Sequence, residues 1–85
     1  MTTSMNPNEV FVLIVTNTSK EAAIYEQRLS KEKRNFHIKA VRAGKNIRGM
    51  RPTIIVEKYE MKNKKIYDWR NEQLLPAGNG NAVII

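Results

Sequence analysis

The chain has 85 residues, room for one compact domain, with 41% hydrophobic and 27% charged residues. A domain this small buries only about 60–65% of its unfolded surface, which excludes a second domain, a large cofactor cavity or a deep multi-step active site. Fifteen Lys and Arg against eight Asp and Glu give a formal net charge of +7, and the absence of cysteine excludes disulfides, thiolate metal sites and Cys nucleophiles.

Residues 1–8 are polar and uncharged and read as a flexible N-terminus ahead of a single domain over 9–85. They lack the basic and apolar regions of a signal peptide. The longest apolar run is Val10–Val15, far short of the ~20 residues that span a bilayer. The expectation is a cytoplasmic protein with no membrane contact.

Val10-Phe11-Val12-Leu13-Ile14-Val15 is continuously apolar and predicts a central strand buried on both faces. Thr18-Ser19-Lys20-Glu21 has the pattern of a capping box and starts a helix that runs to about Lys33, with Asn35 to end it. Ala22, Tyr25 and Leu29 share one face of that helix and Ile24 flanks it. Phe36-His37-Ile38-Lys39-Ala40 alternates, so Phe36, Ile38 and Ala40 point inward and His37 and Lys39 outward, as in an edge strand or one covered on a single face. Ala43–Pro52 holds two Gly, an Asn and a Pro and reads as a loop. Thr53-Ile54-Ile55-Val56 is the second fully apolar strand.

The tail has two readings. In the favoured one, residues 59–69 form a hairpin that makes Tyr59, Met61, Tyr67 and Trp69 cross-strand neighbours. In the other, Ile66–Leu75 is a short helix stopped by Pro76 and Gly78. Pro76–Asn81 reads as a loop, and Ala82–Ile85 as a last strand or an apolar tail able to join two copies into a homo-oligomer. The whole predicts a small α/β or α+β sandwich of the βαββ type, about four strands and one main helix. A ferredoxin-like arrangement, with strands one and three central, satisfies the same order.

Charge is concentrated. Between Lys31 and Lys65 stand twelve basic residues and three acids, whereas the rest of the chain has three basic residues and five acids. No acid lies between Glu32 and Glu57, and a local excess of one sign attracts polyanions. Arg42, Lys45, Arg48 and Arg51 recur every third residue in the glycine-containing loop. Guanidinium groups there can clamp phosphate oxygens. Lys39, Lys58, Lys62, Lys64 and Lys65 extend the candidate nucleic-acid-binding set, with Tyr59 and Tyr67 able to stack on bases. Trp69 reads as core.

Other constellations are poorer. Glu57 and Glu60-Met61-Lys62 echo the E-x-K of metal-dependent nucleases, but no acid stands within 24 residues upstream of Glu57 to complete a Mg²⁺ site. A solvated strand exit is the plainer reading. His37, the one histidine, has no partner at metal-ligand or triad spacing and reads as a surface residue.

VFVLIVTNTSKEAAIYEQRL (residues 10–29) and AGKNIRGMRPTIIVE (residues 43–57) resemble part of the RecA-like ATPase core of phage large terminases and related helicases. The resemblance covers about half the chain and its motifs are short. It places Arg48-Gly49 at the turn before a Walker B strand and Glu57 at the Walker B acid. The departures weigh heavily: no G-x-x-x-x-G-K-[ST] is present, and Lys58 replaces the second acid. ATPase activity is therefore not implied. The combined expectation is a small basic non-enzymatic accessory or regulatory protein, without cofactor or metal, of viral (phage) origin and acting in the host cytoplasm. Its partner would be DNA or RNA. The alternative is an inhibitor or modulator of an acidic host protein, and a third reading is a small metal-dependent nuclease.

Overall fold

The computed structural model describes residues 10–78 and 82–85. β1 (Val10–Thr16), β2 (Phe36–Arg42), β3 (Ile54–Lys58) and β4 (Val83–Ile84) form one sheet in the order β2-β1-β3-β4. All three ladders are parallel, with Val12 facing Ile38 on one side and Ile54 on the other. The small α/β sheet of about four strands is thus as the sequence indicates, and both apolar strands are interior. A ferredoxin-like sheet needs antiparallel neighbours, so that variant gives way to a parallel arrangement.

The reason lies in the connections, because a parallel pair needs a crossover long enough to return to the starting end. Helix α1 (Ser19–Glu32) links β1 to β2. Thr18 caps it: its Oγ1 accepts from the Glu21 N–H at 3.1 Å and donates to Glu21 Oε1 at 3.3 Å. The helix stops one turn before Asn35, at Glu32, with Lys33 as its C-cap. Ala22, Tyr25 and Leu29 pack on Val12, Ile14, Ile38 and Ala40, and Ile24 is exposed. Phe36, expected inward, is 40% exposed because it enters β2 just past the end of the helix that would cover it.

The second crossover corrects the favoured tail reading. Residues 59–69 do not form a hairpin. Asn63 accepts from the Ile66 N–H at 3.0 Å and starts a helix, α2 (Lys64–Trp69). A five-residue π turn (Arg70–Leu74) and a last helical turn, α3 (Leu75–Gly78), complete the rod. Ile66, Trp69, Leu74 and Ala77 all reach the core, a helical rather than an alternating period. Pro76 and Gly78, expected in a loop, lie inside α3; Pro76 has no N–H to donate, and the widened π turn directly before it accommodates that. The rest of the expected 76–81 loop and the expected flexible residues 1–8 lie outside the described residues.

Two apolar clusters result, one on each face of the sheet. The α1 face holds Val12, Ile14, Ala22, Ile38 and Ala40. The opposite face holds Leu13, Val15, Val41, Ala43, Ile47, Ile55, Trp69, Leu74 and Ala77. The open edge of β2 is partly protected: the outward Ala40 N–H donates to Glu26 Oε1 at 2.8 Å.

Candidate nucleic-acid interface

The loop of residues 43–53 crosses the second face as two tight turns. The Lys45 N–H donates to the Arg42 carbonyl at 3.2 Å, and the Met50 N–H to the Ile47 carbonyl at 3.1 Å. The third residue of each turn is a glycine, Gly44 or Gly49, with φ of +94°. Such a turn needs positive φ at that position, which glycine adopts without steric cost. Between the turns Ile47 is buried, 1% exposed, and plugs the loop into the core.

Two side chains of the helical rod hold the loop backbone. Trp69 Nε1 donates to the Lys45 carbonyl at 2.7 Å. The Ile47 N–H donates to Gln73 Oε1 at 3.0 Å. Plug and clamps face inward, while the side chains of Arg42, Lys45, Arg48 and Arg51 are left exposed.

A shallow groove runs between loop and rod. Its upper part, about 430 Å³, is flanked by Arg42 and Lys65. Its lower part, about 170 Å³, is flanked by Arg48 and Arg51. Glu72 and Gln73 line both. Two acids face the upper part: Glu72, and Asp68, whose Oδ2 is 2.9 Å from Lys64 Nζ.

The other candidates are distributed differently. Lys39 is half-buried on β2, in register with Leu13 and so on the loop's side of the sheet. His37 is exposed on the same side and meets Phe11 edge-on at 4.9 Å. Lys58 belongs to the other face, its ammonium 5.9 Å from the centre of the Tyr25 ring. Lys62 and Lys64 are exposed near the start of α2. Tyr59 is built into the structure: its ring meets Trp69 edge-on at 6.0 Å and its hydroxyl donates to Glu57 Oε2 at 2.5 Å. Tyr67 is 55% exposed but does not line the groove.

Glu57, the residue at the Walker B position of the resemblance, is a structural anion. Arg70 grips it with two bonds, Nε to Oε2 at 2.7 Å and Nη2 to Oε1 at 3.0 Å. Those bonds hold the Glu57 carboxyl below its ordinary pKa, against a partial burial that pushes upward. Burial and the Glu57 hydrogen bond push the Tyr59 phenol up, and the Glu57 hydrogen bond raises Arg70. Three protein hydrogen bonds, two on Oε2 and one on Oε1, thus engage this carboxylate.

Open α/β sheets usually take ligands at the carboxyl ends of the strands where the order reverses, here between β1 and β3. Asn17 laces that point, its Oδ1 accepting from the Glu60 N–H at 2.9 Å. Thr16, fully buried, donates to the Thr18 carbonyl at 2.7 Å. Glu21 already supplies a negative charge to the first turn of α1, which disfavours an anion there. Among the described residues no group of three or more His, Asp or Glu comes together to hold a metal ion. No helix among them is long and apolar enough to cross a membrane.

Sequence reasoning picked out the groove's cations but not Arg70 or Gln73. Arg70 lies 13 residues from Glu57 and no local pattern links them. Gln73 stands four residues after Trp69, on the same helical stripe, a signal visible only once 64–78 is taken as helical. No family model, no curated protein and no solved structure matches the chain.

Proposed function

We propose that this is a small non-enzymatic domain that binds nucleic acid through the loop side of the sheet, as an accessory or regulatory protein. The observation that carries the reading is the pair of neighbouring hollows between loop and rod, one flanked by Arg42 and Lys65 and the other by Arg48 and Arg51, four cations against the two acids Asp68 and Glu72. Lys39, Lys45, Lys62 and Lys64 add to the positive field around it, whereas Lys58 lies on the other face of the sheet, beside the Tyr25 ring. A viral setting is part of the proposal and rests on small size and the terminase-like segment alone. Catalysis is not part of it, because Glu57 already serves Arg70 and Tyr59.

The test is a salt titration of binding. Each phosphate neutralised on duplex DNA contributes about −0.9 to the slope of log affinity against log salt. Arg48→Ala with Arg51→Ala should flatten the slope by about 2 and weaken binding to every sequence alike. An unchanged slope removes the groove as the contact surface. If the wild type has no affinity for DNA or RNA even at low salt, the nucleic-acid reading fails and an acidic protein becomes the partner to isolate.

A further inference from the structure

We infer that the groove takes the phosphate backbone of a duplex rather than a single strand; this rests on the nucleic-acid reading and names its substrate class. Two independent features point there. The first is what the groove lacks. Single-strand sites combine cations with exposed aromatic faces on which unpaired bases stack. Among the described residues the one aromatic lining this groove is Trp69, which is 5% exposed and spends its N–H on the Lys45 carbonyl. Tyr59 is committed to Glu57 and Trp69, and Tyr67 lies outside the groove.

The second feature is how the cations are mounted. Trp69 and Gln73 fix the loop backbone at Lys45 and Ile47, and the Ile47 side chain anchors it in the core. Arg42, Lys45, Arg48 and Arg51 therefore project from a backbone of fixed geometry. A fixed array gains from a partner whose phosphates are themselves at fixed spacing, since neither side must be ordered on contact. A single strand must first give up its own conformational freedom to match the array. Trp69 and Gln73 are, on this view, positioning residues for the array.

The experiment compares one mixed-sequence duplex, as DNA and as RNA, with each of its separated strands at low salt. The wild type should bind a duplex about tenfold more tightly than either strand. The DNA and RNA arms show which duplex geometry the array fits. Gln73→Met keeps the side chain's length and removes the acceptor. It should speed amide exchange at Ile47 and lower duplex affinity by about five- to tenfold, the reach of one hydrogen bond. Because Gln73→Met leaves the number of phosphate contacts unchanged, the salt slope should stay put and single-strand affinity should barely move. Single strands binding as tightly as the duplex, or Tyr67→Ala weakening binding, would overturn the inference while leaving nucleic-acid binding standing. Gln73→Met lowering duplex and single-strand affinity equally would also overturn it. Failure of the wild type to bind every one of the six probes, two duplexes and four single strands, is the separate failure of the function reading itself.

Discussion

The two faces of the sheet are held in different ways. On the α1 face the cluster is small and aliphatic, and one residue of the helix, Ala22, is fully buried in it. Tyr25 and Leu29 lie half-buried, and the attachment is that of an ordinary amphipathic helix laid on a sheet. On the other face Leu13, Ile47, Ile55 and Leu74 are all essentially inaccessible, and Trp69 is nearly so. That face is also stitched by polar bonds: Trp69 to Lys45, Ile47 to Gln73, and Glu57 to Arg70 and Tyr59. The basic loop belongs to this second face. Its cations therefore stand on the most tightly determined part of the molecule. A loop rich in Gly and Arg is ordinarily mobile; this one has a core residue at its centre and two side-chain clamps on its backbone.

The two faces should differ most in what a core cavity costs. Leu74→Ala removes a fully buried side chain from the second face, and a loss of about 3 kcal/mol in urea unfolding is expected, the usual scale for a core cavity. Leu29→Ala on the first face takes away a half-buried side chain whose site solvent can partly fill, so it should cost clearly less. Equal losses would mean that the faces contribute alike.

Glu57 comes next. Glu57→Gln at neutral pH leaves Arg70 and Tyr59 without their anionic acceptor and should cost about 2 kcal/mol, the scale for hydrogen bonds to a charged group in a partly sheltered site. The pH dependence identifies the cause. The folded-state pKa of Glu57 lies below the ordinary 4.5, so its contribution is full above that value and is lost as pH falls through the lowered one. Melting temperatures of wild type and variant should differ most near neutrality and converge in acid. A gap that persists at low pH would assign the loss to packing instead.

A smaller effect probes how α1 is attached. Thr18→Ala removes the acceptor for the Glu21 N–H and should cost about 1 kcal/mol, the common value for an N-cap. Polyanion affinity should be untouched, because α1 packs on the face away from the groove.

How much of this was legible follows the same division. β1, α1, the edge character of β2 and the interior position of β3 are written in local patterns: two unbroken apolar runs, a capping box, and an alternation. The first face depends on little else. The second face depends on pairings over long separations, Ile47 with Gln73 and Glu57 with Arg70, which no local window contains. Residues 59–69 mislead for a physical reason. Tyr59, Met61, Tyr67 and Trp69 alternate well enough for a hairpin, and the sign that decides against it is Asn63 as a cap, a single residue inside what resembles a turn. The candidate site shows the same split. Arg42, Arg48 and Arg51 are visible in an acid-free stretch, whereas the groove they share with Lys65 needs α2 and the π turn in place.

The smallest expected effect separates the two ion pairs, whose lengths barely differ. Lys64 Nζ lies 2.9 Å from Asp68 Oδ2, and Arg70 Nε lies 2.7 Å from Glu57 Oε2. Distance alone ranks them as equals. Their surroundings do not: the Lys64 side chain is 85% exposed, against 28% for Arg70 and 20% for Glu57. The Asp68 hydrogen bond raises the Lys64 pKa, yet water and salt screen so exposed a charge and the long side chain loses entropy on being held. The order along the helix, cation before anion, is also the less favourable one for an i,i+4 pair. Lys64→Ala should therefore leave the melting temperature unchanged at physiological salt, and adding salt should not separate the variant from the wild type. A drop comparable to that of Glu57→Gln would show that the start of α2 is held from its surface, and the contrast between a stitched interior and an idle exterior on this face would fail.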